Sequence, residues 1–505
     1  MLIPMPRRPA WQLLGRIAWP VILLALALGL GSVFLSPPRA AVFVVVAALA
    51  IVSLLRPGIG LALVAIAVPF GGVVPWVQVT AGPLDAGLGE ILVGFVMLGW
   101  LAGLLTRRER LVDAPLTVGP LIWPIVAFLG AELLSAAFAP PLSASIKELA
   151  RWLLVIAIYL AAVNLVREPD TRRLVLGATF AAGASQALLG AYQFFAAAGP
   201  AAYKFDRFLR AYGTFGQPNP FAGYLEMVVP LGLALVFVWR SGRGDWLRWL
   251  ALASALIGSA AIVMSLSRGA WLGLGIGVVV AAVVATRRGW RVAASAAVVA
   301  ALLYVASRVG LLPAAIADRI SQVTGDFHLL DARGVMPTNE NYSVLERMAH
   351  WQAGWDMFLS HPLLGVGPGH YAIAYPQFAI LPYWTEALGH AHNIYINVAA
   401  ETGLIGLIAY LVMIGSWLVF VLSRARAMVL KEPTGLSTAV LVGVVGCLTA
   451  VAIHNVFDDL YVHMMNVQIA ILLGLASTAG PAVRVGVPAP PQPVAEDLDQ
   501  ALAPQ

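Results

Sequence analysis

Four side chains of this 505-residue sequence have the types to do chemistry together: Arg210, Arg268, Arg347 and His392. Three are fixed cations, and the fourth is an imidazole whose ordinary pKa of about 6.5 makes both protonation states accessible near neutrality. Guanidinium groups bind phosphate oxygens in bidentate fashion, and an imidazole can take the proton of an attacking hydroxyl. The combination suits displacement at a sugar carbon already joined to a diphosphate. The arginines neutralise charge on the departing diphosphate, and His392 takes the acceptor's proton. A single displacement of this kind inverts the anomeric centre. Lys204 and Arg207 lie close to Arg210 in the stretch AYKFDRFLRAYGTFGQPNP, interleaved with aromatic residues, as a lipid carrying a charged headgroup requires.

These residues must be positioned by a membrane protein. The chain is 60% apolar and 11% charged with mean hydropathy +0.85, which leaves too little polar surface for a soluble protein of this size. About fourteen apolar stretches of roughly 17 to 25 residues recur along it, each long enough to cross a bilayer as a helix. The expected spans are Trp11–Leu35, Ala40–Leu55, Gly58–Trp76, Leu88–Thr106, Thr117–Ala139, Leu149–Val166, Arg173–Ala197, Pro220–Trp239, Trp246–Ser265, Gly269–Thr286, Trp290–Ser307, Thr402–Leu422, Leu436–His454 and His463–Ser477. The second and third are short or interrupted, so about twelve crossings is the alternative. Basic clusters at Arg7/Arg8, Arg107/Arg108/Arg110, Arg172/Arg173, Arg240/Arg243, Arg287/Arg288 and Arg424/Arg426 fall on alternate turns and place both termini in the cytoplasm. The first apolar segment lacks a small-residue cleavage site and is expected to be a retained helix. The fold class expected is all-α: a polytopic transmembrane helical bundle of about 12–14 helices with one long extracytoplasmic loop domain. Net charge +6 fits contact with anionic headgroups, and the single cysteine, Cys447, excludes an internal disulfide.

On that topology the four residues share the outer side. Residues 308–401 form the long excursion. In it, Ser343 and Glu346 suggest a capping box for a helix to about Leu359, with Leu345, Met348, Trp351, Trp355 and Phe358 on one face. That helix, carrying Arg347, is a candidate gate for a lipid entering sideways. The turn HPLLGVGPGHY follows, then HAHNIYINVAAETGLIGLIAY, which brings His392, Asn393 and Glu401 to the start of a membrane helix. Arg268 sits in SLSRGAWLGLG at the outer end of a helical hairpin.

GTFGQPNPFAGYL, SLSRGAWLGLG, HPLLGVGPG and HAHNIYINVAAETGLIGL, in that order and separated by membrane helices, resemble the O-antigen ligase and polymerase superfamily over roughly Ala198–Leu422. The resemblance implies a glycosyltransferase of the outer face of the cytoplasmic membrane that uses an undecaprenyl-diphosphate-linked glycan as donor, without metal, nucleotide sugar or other cofactor. It implies that Arg268 and Arg347 hold the donor diphosphate and that His392 assists the acceptor. Asn219 and Glu401 match further motif positions, and Asn393 completes the histidine–asparagine pair. Substrate contact is accordingly expected at Arg210, Arg207, Lys204, Asn219, Asn393 and Glu401. His390, two residues from His392, is a second imidazole in the same motif.

The expected division is 1–197 and 198–307 as membrane helices, 308–401 as the outer domain, 402–480 as the closing helices and 481–505 as a disordered cytoplasmic tail. Expected partners are the lipid-linked donor, a glycan, lipid or protein acceptor, and membrane lipids; no nucleic acid is expected. A polymerase differs from a ligase only in its acceptor. A flippase or carrier is the rival from another class, and it should keep ionisable groups near the bilayer midplane on interrupted helices. In the first half only Glu132 and Glu90 fit that. A structural role in an envelope complex is a third reading. Asp458 and Asp459, in NVFDDLYVH, read as a solvated turn, and the other histidines lack metal-ligand spacing.

Overall fold

The computed structural model describes residues 36–71, 79–81, 84–106, 116–205, 207–242, 244–312, 331–338 and 341–480. The first expected span, Trp11–Leu35, and the tail after residue 480 lie outside them. The chain is a multi-pass helical membrane protein, and among the described residues eight helices are long and apolar enough to cross a bilayer.

The helices run in order as α1 (Pro37–Leu55), α2 (Pro57–Ala67), α3 (Leu88–Thr106), α4 (Ile122–Ala136), α5 (Leu142–Leu165) and α6 (Pro169–Ala196), then α7 (Pro218–Glu226), α8 (Val229–Phe237), α9 (Trp246–Ser265), α10 (Arg268–Ala285) and α11 (Gly289–Arg308). Two further helices, α12 (Tyr342–Ser360) and α13 (Tyr371–Phe378), precede α14 (Ile394–Lys431), α15 (Leu436–His454) and α16 (Met465–Thr478). Apolar side chains from most of them form one continuous core. Two two-stranded antiparallel hairpins qualify the all-α expectation: β1 (Val79–Ala81) with β2 (Leu84–Ala86), and β3 (Lys204–Phe205) with β4 (Phe208–Leu209).

Three departures from the expected elements matter for the site. Pro220–Trp239 was expected as one helix, but the apolar span Pro218–Phe237 is broken between α7 and α8 at Met227–Val228, where Pro230 in the first turn of α8 has no amide to continue the ladder. Helix α12 begins two residues earlier than its capping box suggests, with Asn341 at the N-cap and Ser343 already inside the first turn. Its buried face carries Leu345, Met348, Ala349, Ala353 and Met357, while Trp355 is 49% exposed. Finally, α14 is two helices joined at Gly403, whose φ of 65° and ψ of −161° are not helical.

That kink explains two motifs at once. A Cβ on Gly403 would lie 2.3 Å from the carbonyl carbon of Leu363, so the turn at 361–369 and the start of α14 approach backbone to backbone. Leu404 N–H donates to Pro362 O (2.8 Å), Val366 N–H to Ala400 O (2.9 Å) and Gly367 N–H to Glu401 O (2.8 Å). The N-terminal half braces the same turn: Ser135 Oγ donates to Leu364 O (2.6 Å) and Glu401 O (3.0 Å), and Ser145 Oγ to Pro368 O (3.1 Å). The first half therefore supports the segment that leads into His392 from the other side of the bundle.

Candidate active site

The site is assembled around the 455–461 loop, between α15 and α16. Ile394 N–H, at the start of α14, donates to Asn455 O (3.0 Å) and Asp458 O (3.2 Å), and Asn393 caps α14 by accepting from Tyr395 N–H and Ile396 N–H. These bonds fix His392 beside the loop, with its own backbone in the left-handed region at φ 52°. A non-glycine residue there is strained and needs support from its surroundings. The support comes from Trp351 Nε1–H, which donates to His392 O (3.2 Å), and from the His392 N–H, which donates to His390 Nδ1 (3.1 Å).

His392 Nδ1 then stands 3.5 Å from Asp458 Oδ1, an ion-pair distance longer than a good hydrogen bond. Asp458 is 5% exposed, and its other oxygen accepts from Asn219 Nδ2 at 2.7 Å. Burial pushes the Asp458 carboxyl upward, but His392, His390 and His454 beside it outweigh that and hold it below the usual carboxylate range. The solvated turn expected at 458 and 459 is thus a buried carboxylate pointed at the candidate base. His390 supports this one: its Nδ1 carries the lone pair that receives the His392 amide, so in the neutral ring its proton is on Nε2.

The arginines arrive on separate elements. Arg210 follows the β3–β4 hairpin, donates from Nε to Ser265 O (2.9 Å), and approaches Asn219 Oδ1 at 3.5 Å. It is thereby tied to the turn that carries Arg268 and, through Asn219, to Asp458. Arg268 is the first residue of α10. Arg347 lies one turn before Trp351 on α12, within electrostatic range of His454 at the end of α15. His350 on the same helix packs 5.8 Å from the His392 ring. It donates from Nδ1 to Tyr371 Oη (3.2 Å), whose hydroxyl donates to His350 O (2.9 Å). Burial, then the two neighbouring imidazoles, lowers the His350 pKa to about 4, so it stays neutral and adds no charge near Arg347.

The remaining expected residues sit apart. Lys204 and Arg207 are exposed on the hairpin, Arg207 lying 4.8 Å over the Phe208 ring. Glu401 is buried, and its Oε1 accepts from Tyr371 N–H at 2.9 Å, which places it among the bonds that hold the 361–371 segment. Ligand atoms of His390, His392 and Asp458 lie within 4.8 Å of one another, a spacing that can hold a metal ion. Both Asp458 oxygens are already engaged, one by Asn219 and one by the Asp459 N–H, and Arg210 and Arg347 are close by. The surroundings favour an anion over a cation.

Residues 252–411 match the family model described as O-Antigen ligase. The chain carries an O-antigen ligase domain. The matched stretch takes in Arg268, Arg347, His392 and Glu401, and the match implies a glycosyltransferase-type enzyme of membrane glycan transfer acting on lipid-linked glycans. No curated protein matches the chain. Arg210, Asn219 and Asp458 lie outside the matched residues of the O-antigen ligase domain yet touch its site. Sequence reasoning missed Asp458, Glu226 and His454. For Glu226 the signal was a lone carboxylate in an apolar run, PFAGYLEMVVP; for Asp458, nothing in the local sequence separates a buried turn from a solvated one.

Proposed function

We propose that this enzyme transfers a glycan from undecaprenyl diphosphate to an acceptor hydroxyl at the outer face of the cytoplasmic membrane, as a ligase, with inversion and without a metal ion. His392 takes the proton as the acceptor oxygen attacks C1 of the donor sugar, and Asp458 orients the ring and stabilises the imidazolium. The bond from C1 to the diphosphate oxygen breaks as the new glycosidic bond forms, and Arg268, Arg347 and Arg210 receive the growing negative charge. Each such preorganised donor contributes roughly 2.7–4 kcal/mol in a poorly hydrated site, and the base roughly 10²- to 10⁴-fold. The observation that carries the reading is the buried Asp458 held against His392, with Arg210 linked to it through Asn219 and Arg347 within electrostatic range of the neighbouring His454.

The basic clusters on alternate turns support an outward-facing site. The test is purified protein in detergent with a synthetic undecaprenyl-diphosphate oligosaccharide, the lipid species being followed by mass spectrometry. A ligase consumes donor only when a separate acceptor is added. Lengthening of the lipid-linked glycan without one makes the enzyme a polymerase. Donor left intact under both conditions contradicts the proposal and points back to a flippase.

A further inference from the structure

A second polar chain lies under the Arg268 turn, and the reaction just described does not use it. Glu226 ends α7 inside the apolar Pro218–Phe237 span, with 0% exposure. It lies seven residues, or about 10 Å of helix, beyond Asn219. Its Oε2 accepts from His454 Nδ1 at 2.8 Å, and His454, 1% exposed, ends α15 four residues before Asp458. The other ring nitrogen, Nε2, stands 3.4 Å from Ser267 Oγ. Ser267 is the N-cap residue of α10, yet its hydroxyl makes no cap bond and faces His454 instead.

This pair is built into the bundle. Helix α10 meets α15 so closely that a Cβ on Gly273 would stand 2.4 Å from Glu226 Oε1 and 2.6 Å from Ala450 O. Only glycine at that position leaves the room. A buried ion pair adds little net stability over apolar residues of the same volume, and an ionisable residue within a membrane span calls for a functional reason. The position of the pair supplies one. The turn at 265–268 is held from outside by Arg210 Nε on Ser265 O, and from below by His454 on Ser267 Oγ. The residue between these tethers and the body of α10 is Arg268.

We propose that Glu226, His454 and Ser267 form a buried positioning chain that aims Arg268 at the donor diphosphate, so that a carboxylate within the membrane span sets donor affinity. The inference rests on the donor assignment above. It also accounts for an interrupted helix with a buried carboxylate, a feature a carrier would share, as part of a glycosyltransferase site.

The experiment compares full-length wild type, Ser267→Ala, Ser267→Thr, Glu226→Gln, Arg268→Ala and the Ser267→Ala/Arg268→Ala double variant. Two quantities are read: binding of undecaprenyl diphosphate, and the steady-state kinetics of glycan transfer. Loss of one charge-assisted link should raise the donor Kd and KM by roughly tenfold or more in Ser267→Ala and Glu226→Gln, while Ser267→Thr keeps the hydroxyl and recovers most of the loss. The double variant should bind no worse than Arg268→Ala alone, since the chain acts through that arginine. Effects of Ser267→Ala and Arg268→Ala that multiply independently, or a Ser267→Ala protein with wild-type KM, overturn the inference while leaving the donor assignment standing. Wild type that fails to bind undecaprenyl diphosphate removes both. Should Glu226→Gln fail to fold, the serine variants decide alone.

Discussion

Asp458 changes what His392 can do. An isolated imidazole at a membrane surface is a weak base with freedom to turn; one whose own amide donates to the His390 ring, with a tryptophan on its carbonyl and a buried carboxylate beside Nδ1, is held in place. The arginines are distinct in role, and Arg268→Ala should lose about 2.7–4 kcal/mol of transition-state stabilisation, seen as roughly 10²- to 10³-fold slower donor consumption. Arg268→Lys should recover only part, because an ammonium cannot make the bidentate contact. Near these groups His350 is held neutral with a pKa of about 4 against an ordinary 6.5. Between those values the unfolded chain takes up a proton that the folded chain refuses, so stability rises with pH across that window. The contribution is complete above 6.5 and is lost as pH falls toward 4. The melting temperature of wild type should therefore fall from pH 6.5 downward, and His350→Gln should lose that part of the dependence; an identical pH profile in the variant contradicts the assignment.

Among elements, the 361–369 turn and the kinked start of α14 decide where His392 sits. Gly403→Ala puts a methyl group against the Leu363 backbone at a φ of 65°, and a strained residue of this kind costs on the order of 1–3 kcal/mol. A lowered melting temperature together with lost transfer is expected, and a variant of unchanged stability would show that the turn can yield. A cross-link pinning α12 to α14 should block turnover without unfolding the protein if α12 closes on the donor; unimpaired turnover would make it a fixed wall. Most helices were legible in the sequence, because runs such as Leu88–Thr106, Trp246–Ser265 and Leu436–His454 are apolar over nearly all their length, with their ionisable residues near the ends. The β3–β4 hairpin was not, since two-residue strands leave no alternation to read. Nor was the true start of α12, where Asn341 and Thr338 exchange bonds ahead of the expected Ser343 cap.

At the scale of the whole molecule, the proposed outward orientation is open to direct labelling. Cys447 is buried, so the background with thiol reagents is low. A membrane-impermeant maleimide should label Lys204→Cys in intact cells and Arg287→Cys only after the membrane is opened; the reverse pattern would invert the topology. The link from Arg210 through Asn219 toward Asp458 and His392 joins residues that the sequence already marked as cation, amide and imidazole of candidate motifs. The loop at 455–461 and the bracing by Ser135 and Ser145 could not be anticipated, as each joins segments far apart in sequence and no local pattern marks them. The most direct test of the account is the split between binding and turnover in Asp458→Asn. Affinity for undecaprenyl-diphosphate oligosaccharide should stay near wild type, while kcat falls, by no more than the roughly 10²- to 10⁴-fold that the base itself contributes. Unchanged kcat, or a loss confined to donor binding, would contradict the pairing of Asp458 with His392 as the proton-accepting unit.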